Sequence, residues 1–215
     1  MKQKQSSEFL FQVFALLISL IIVHAIYVGI VRPNAEAILD IQMELQASGE
    51  SFVPERSLYV VVKDYEQEAC FVLLLWALAT MAYKGRRIYR ENELLRPLEN
   101  LNPEQQEYLL ARTLLSALQR FATTGNIQDV SSTIRESCEG ESDRLDSEMS
   151  MVRYIAWAIP SIGFIGTVRG IGQALGQAYQ AVEGDITGVT ASLGVAFNST
   201  FVALILSIII MFCLH

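Results

Sequence analysis

The sequence predicts an all-α integral membrane protein. Four transmembrane helices carry a helical cytoplasmic domain between helices two and three, with helices extending into the cytoplasm. Three observations predict this fold class. The first is composition: 52% of the 215 residues are hydrophobic and only 18% are charged, too apolar for an ordinary soluble domain. The second is the presence of four apolar runs near the ~20 residues that a helix needs to cross a bilayer. The third is the segregation of lysine and arginine between those runs, which orients them.

The N-terminal segment and first span occupy residues 1–31. Their apolar part, "FLFQVFALLISLIIVHAIYVGIV" from Phe9 to Val31, is too long for the apolar region of a signal peptide. An acidic periplasmic loop follows over 32–68. The second span, 69–83, is short, and the preceding "LYVVVKDYEQE" is expected to add a turn or two at the interface. A helical cytoplasmic domain covers 84–150. The hairpin of spans three and four covers 151–215, with the spans near 151–178 and 189–214. The 84–153 segment holds ten lysines and arginines, whereas the 32–68 loop holds three against eight acids. Lys2 and Lys4 precede the first span, and the short loop at 179–188 has two acids and no basic residue. By the positive-inside rule both termini face the cytoplasm.

Within the cytoplasmic segment, Asn102, Pro103 and Gln105 form a helix-start pattern of N-cap, first-turn proline and capping-box glutamine. Gly125 is a natural stop. Leu110, Leu114, Leu118 and Phe121 fall on one stripe. Leu145, Met149, Val152 and Ala156 run a second stripe straight into span three, so that span is expected to project from the membrane as one long helix.

The net charge of -7 argues against nucleic acid as a partner. Cys70, Cys138 and Cys213 form no CxxC or Cys/His cluster, so neither a disulfide framework nor a metal site is expected. No residues are assigned to catalysis, and the expectation is a non-enzymatic protein without a cofactor. The glycine-rich stretch in span three lacks the GxxxxGK[ST] pattern of a phosphate-binding loop.

Spans three and four carry the most information. Gly163, Gly166, Gly170, Gly172 and Gly176 lie along span three, and Gly166/Gly170 and Gly172/Gly176 are GxxxG pairs that let helix backbones approach closely. Pro160 frees a backbone carbonyl and is expected to bend the helix. Thr167 lies sixteen positions before Glu183, and Thr200 seventeen after it. In an antiparallel hairpin rising about 1.5 Å per residue, the two hydroxyls reach the same depth inside the hydrocarbon zone. Asn198 and Ser199 add to that polar level, which reads as the lining of an ion pathway.

Arg169 sits two residues outward of Thr167. An arginine at that depth must face protein or water, or reach for the interface. Its partner is Glu183, Asp185 or an acid on another subunit; the alternative is snorkelling to the outer headgroups. His24 and Gln12 in span one are read as packed polar residues. Spans one, three and four contain no Asp or Glu. A titrating carboxylate on the pathway is therefore expected from a partner.

"IPSIGFIGTVRGIGQAL" and "LGVAFNSTFVALILSI" resemble the last two membrane helices of the MotA/TolQ/ExbB proton-channel family over roughly residues 150–214. The layout of four spans resembles the flagellar branch; the GTVxG wording resembles the TolQ and ExbB branch. The resemblance implies an ion-conducting stator subunit of a rotary motor in the bacterial inner membrane. Such a chain assembles as a homopentamer around a MotB/TolR/ExbD-like single-span subunit whose intramembrane Asp binds the ion. It further implies that Thr167 and Thr200 match the polar positions near that carboxylate, that Gly166 and Gly170 match the close-packing glycines, and that Pro160 matches the kink. Arg169 departs from the family pattern, where an aromatic is common. The family also continues the last helix beyond the position of His215. Protons are the expected ion, with sodium as the alternative. A non-conducting membrane scaffold of the same fold and a small secondary transporter are the competing functions.

Overall fold

The computed structural model describes residues 2–47, 57–93 and 109–215. The described residues form helices: α1 Lys2–Ile26, a π-helical turn Tyr27–Val31, α2 Arg32–Ala47, α3 Leu58–Val62, α4 Tyr65–Glu93, α5 Leu109–Thr124, α6 Ile127–Gly176, α7 Ala178–Val182 and α8 Thr187–Leu214. Among the described residues, four stretches are long and apolar enough to cross a membrane: Phe9–Leu45, Tyr65–Arg86, Ile127–Gly176 and Thr187–Leu214. The chain divides into two compact units, one of residues 1–80 with 152–215 and one of residues 81–151.

In the first unit, the segment expected as an acidic loop is largely helical where it is described. The first span does not stop at Val31 but passes through the π turn into α2. The turn has a local cause. Pro33 lacks an N–H, and its ring presses on the carbonyl four residues earlier. A wider turn just before it, in which Arg32 N–H donates to the Tyr27 carbonyl, relieves that crowding. Asn34 Nδ2 then donates to the Ile30 carbonyl at 2.7 Å. At the other end of the predicted loop, α4 begins at Tyr65, which adds the turn expected from "LYVVVKDYEQE" ahead of span two.

Val23, Tyr27 and Val31 bury one face of the first span against Val72 of α4, with Leu16, Val62, Phe71 and Leu75 packed around them. Trp76 Nε1 donates to the Gln12 carbonyl at 3.0 Å, which ties α1 to α4. Cys70 is buried, and its Sγ lies 3.6 Å from the Ile159 carbonyl of α6. Ile155 and Ile159 of α6 and Val202, Ala203, Leu206 and Ile210 of α8 are buried as well. The remaining faces are apolar and uncovered, Phe9, Phe14, Ile21, Phe201 and Phe212 among them. That is the pattern of helices whose solvent is lipid.

In the second unit, Lys84 Nζ reaches Glu148 Oε2 at 2.9 Å and Arg144 Nε reaches Glu148 Oε1 at 2.9 Å, so one carboxylate holds two cations. Gly125 ends α5 with a φ of 62°, and its N–H donates to the Phe121 carbonyl at 2.8 Å. This left-handed cap is the expected glycine stop. The start signal at Asn102, Pro103 and Gln105 lies outside the described residues. Of the expected stripe, the Leu110 side chain lies outside those described, and Leu114, Leu118 and Phe121 are exposed; Ala117 is buried. Residues 127 to 176 form one helix, as the stripe from Leu145 to Ala156 predicts.

Candidate functional site

Close approach of α6 and α8 creates the site. A Cβ built on Gly163 would overlap the Ala203 side chain and lie 3.1 Å from the Ser199 carbonyl. One on Gly166 would meet the Ser199 side chain at 2.5 Å, and one on Gly170 would meet Ala196 N at 2.7 Å and the Ser192 carbonyl at 2.8 Å. These three glycines form the seam, because positions 163, 166 and 170 share the face of α6 that meets α8. Gly172 and Gly176, expected on the same seam, lie off that face and have nothing within 4 Å of the Cβ position. Val168, one turn before Gly172, is likewise exposed. The second GxxxG pair therefore makes no close approach among the described residues.

The seam brings two hydroxyls together. Thr167 Oγ1 and Thr200 Oγ1 are in direct hydrogen-bond contact. Thr167 Oγ1 also donates to the Ala196 carbonyl at 3.0 Å, and Thr200 Oγ1 approaches the Gly163 carbonyl at 3.2 Å. The depth count from the sequence thus pairs the right residues. Ser199 is buried on the other side of the seam against Gly166, and its Oγ donates to the Val195 carbonyl at 2.9 Å. Asn198 is half-buried; successive helix residues point about 100° apart, so it does not share the Thr200 face.

Pro160 lies within α6. Having no N–H, it leaves the Ala156 carbonyl without its helical donor. Ser207 of α8 supplies one, its Oγ lying 2.9 Å from that carbonyl. The sequence reading missed Ser207. Its signal was available: Pro160 is 23 positions before Glu183 and Ser207 is 24 after. We expect Ser207→Ala to destabilise the solubilised chain by about 1 kcal/mol. In a Pro160→Ala background, where the helix regains its donor, the same change should cost close to nothing. A double-mutant cycle in thermal unfolding checks this; equal costs in both backgrounds would show that Ser207 does not serve the proline.

Arg169 finds neither of its expected loop partners. Its Nη2 donates to Glu66 Oε2 at 2.8 Å, and its Nε lies 2.7 Å from Glu66 Oε1, close enough for the ion pair though not aligned for a hydrogen bond. Asp64 Oδ1 is 3.8 Å from Nη2. Burial pushes the Asp64 carboxyl above its ordinary value, against the opposing charges of Lys63 and Arg169. Asp185 instead accepts the Thr187 N–H at the start of α8 at 3.0 Å. The guanidinium is held instead by the first turn of α4. His24 is likewise not a packed polar residue: it is exposed, and its Nδ1 lies 2.7 Å from Glu68 Oε1, a carboxylate that also pairs with Arg32.

A family model for the MotA/TolQ/ExbB proton channel family matches residues 105–215, just over half of the chain. The chain belongs to the MotA/TolQ/ExbB proton channel family. The match takes in α6 and α8 and hence the glycine seam and both threonines. No curated protein and no solved structure gives a significant match. Membership of the MotA/TolQ/ExbB family implies a stator-type proton channel role, a non-enzymatic subunit, and partnering with MotB/TolR/ExbD-type subunits. The protein is a multi-pass membrane protein, consistent with the inner membrane.

Proposed function

We propose that this chain is the ion-conducting stator subunit of a rotary inner-membrane motor and that it passes protons. The observation that carries the reading is the Thr167–Thr200 hydroxyl pair at the α6–α8 seam. Two hydroxyls in contact within apolar helices supply donors and acceptors to a water or a carboxylate at that depth. The carboxylate on the pathway comes from an intramembrane Asp of a MotB/TolR/ExbD-like single-span partner, around which five copies of this chain assemble. Ser199, beside Thr200, holds the seam rather than the pathway, and Asn198 lies to one side of it. Both termini face the cytoplasm, on the distribution of lysine and arginine.

The test is to purify the chain with its single-span partner, image the complex and measure proton uptake in vesicles. Five copies around central partner helices, with uptake that depends on the partner's Asp, are expected. A monomer, or a ring that moves no protons, would overturn the reading.

A further inference from the structure

Glu66 and Arg169 form an ion pair beside a proposed cation pathway, and nothing above assigns them a part in conduction. Glu66 packs where three helices converge: its Cγ would lie 3.4 Å from a Cβ on Gly166, the residue that also meets Ser199 of α8. The pair is not a surface contact. The Glu66 side chain is 13% exposed and that of Arg169 36%. We propose that Glu66 is a positioning residue for conduction, one that neutralises Arg169 and holds its charge against α4. The inference rests on the conduction reading above.

The physical reason is a difference between the two partners. Arg169 is two residues from Thr167, which on a helix places its charge on the order of 10 Å from the hydroxyls. At an effective dielectric near 20, an unscreened positive charge at that range lowers the occupancy of a cation by about tenfold or more. A guanidinium cannot shed its proton. A carboxylate that loses its cation can take one up and become neutral. Removing Glu66 is therefore more damaging than removing Arg169.

Asp64 provides a second, weaker counter-charge. It faces Arg169, Lys63 and Glu66, and its Oδ2 is buried without a hydrogen-bond partner among the described residues. With Glu66 gone, Asp64 offsets Arg169 only when ionised. The defect should then ease as pH rises.

The experiment compares proton uptake by the full complex in vesicles, read with an internal pH dye at a fixed driving force across a pH series. Glu66→Gln should lower uptake tenfold or more, most strongly at low pH. Glu66→Asp and Arg169→Gln should retain most of it. The double variant Glu66→Gln/Arg169→Gln should recover what Glu66→Gln loses, and Asp64→Asn added to Glu66→Gln should remove the recovery at high pH. A pair that serves only to bridge α4 and α6 predicts the reverse: the double variant stays as defective as the single, with no pH dependence. That result overturns the inference even where Glu66→Gln alone assembles poorly, as does uptake by Glu66→Gln equal to the wild type. A wild-type complex that moves no protons overturns the conduction reading and this inference with it.

Discussion

Thr200→Val should reduce proton uptake by the reconstituted complex at least tenfold while leaving the complex assembled. Valine has nearly the shape of threonine, but it has no hydroxyl. The change removes the contact with Thr167 and the approach to the Gly163 carbonyl. The stability cost of those losses is about 1 kcal/mol, and in membrane helices such bonds average less. Thr167 keeps its bond to the Ala196 carbonyl, so the seam retains its register. The close packing at the Gly163, Gly166 and Gly170 Cα positions, which sets the helix separation, does not involve the lost hydroxyl. Assembly and conduction are therefore separable at this residue. Thr200→Ser, which keeps the hydroxyl, should retain a substantial share of uptake. Size-exclusion chromatography checks assembly, and dye-reported uptake checks conduction. Normal uptake in an assembled Thr200→Val complex would sink the proposed pathway.

The hairpin was legible because its signals are local and periodic. Counting residues outward from the short loop pairs Thr167 with Thr200, and glycine spacing marks Gly166 and Gly170, though it marks Gly172 and Gly176 equally and these lie off the seam. The charge network was less legible. Glu66 and Asp64 stood in the interfacial turn expected before span two, and that reading named no partner for them on span three. Once α4 begins at Tyr65, those carboxylates come to the level of Arg169, and the pairing follows from charge. Helix α2 was not legible either. Pro33 normally marks a helix boundary, and here a π turn lets the helix continue past it. The exposed stripe of Leu114, Leu118 and Phe121 shows the limit of periodicity: it identifies an apolar face but not what covers that face.

Gly170→Val should have a large structural effect. Even alanine there would place its Cβ 2.7 Å from Ala196 N and 2.8 Å from the Ser192 carbonyl. Both are backbone atoms of α8, and neither can swing aside as a side chain would. Relief requires moving α8 as a body, and this also separates Thr167 from Thr200. Overpacking of this kind costs about 1–3 kcal/mol for modest additions, and the branched valine lies at or beyond the upper end. We expect a lower thermal midpoint for the solubilised chain and loss of proton uptake together. Gly172→Ala is the control. Its Cβ meets nothing within 4 Å in the chain, and alanine in place of a mid-helix glycine favours the helix by roughly 0.5–1 kcal/mol. The thermal midpoint of the solubilised Gly172→Ala chain should hold or rise. If Gly170→Val and Gly172→Ala shift that midpoint alike, the α6–α8 contact does not follow the 163, 166 and 170 face.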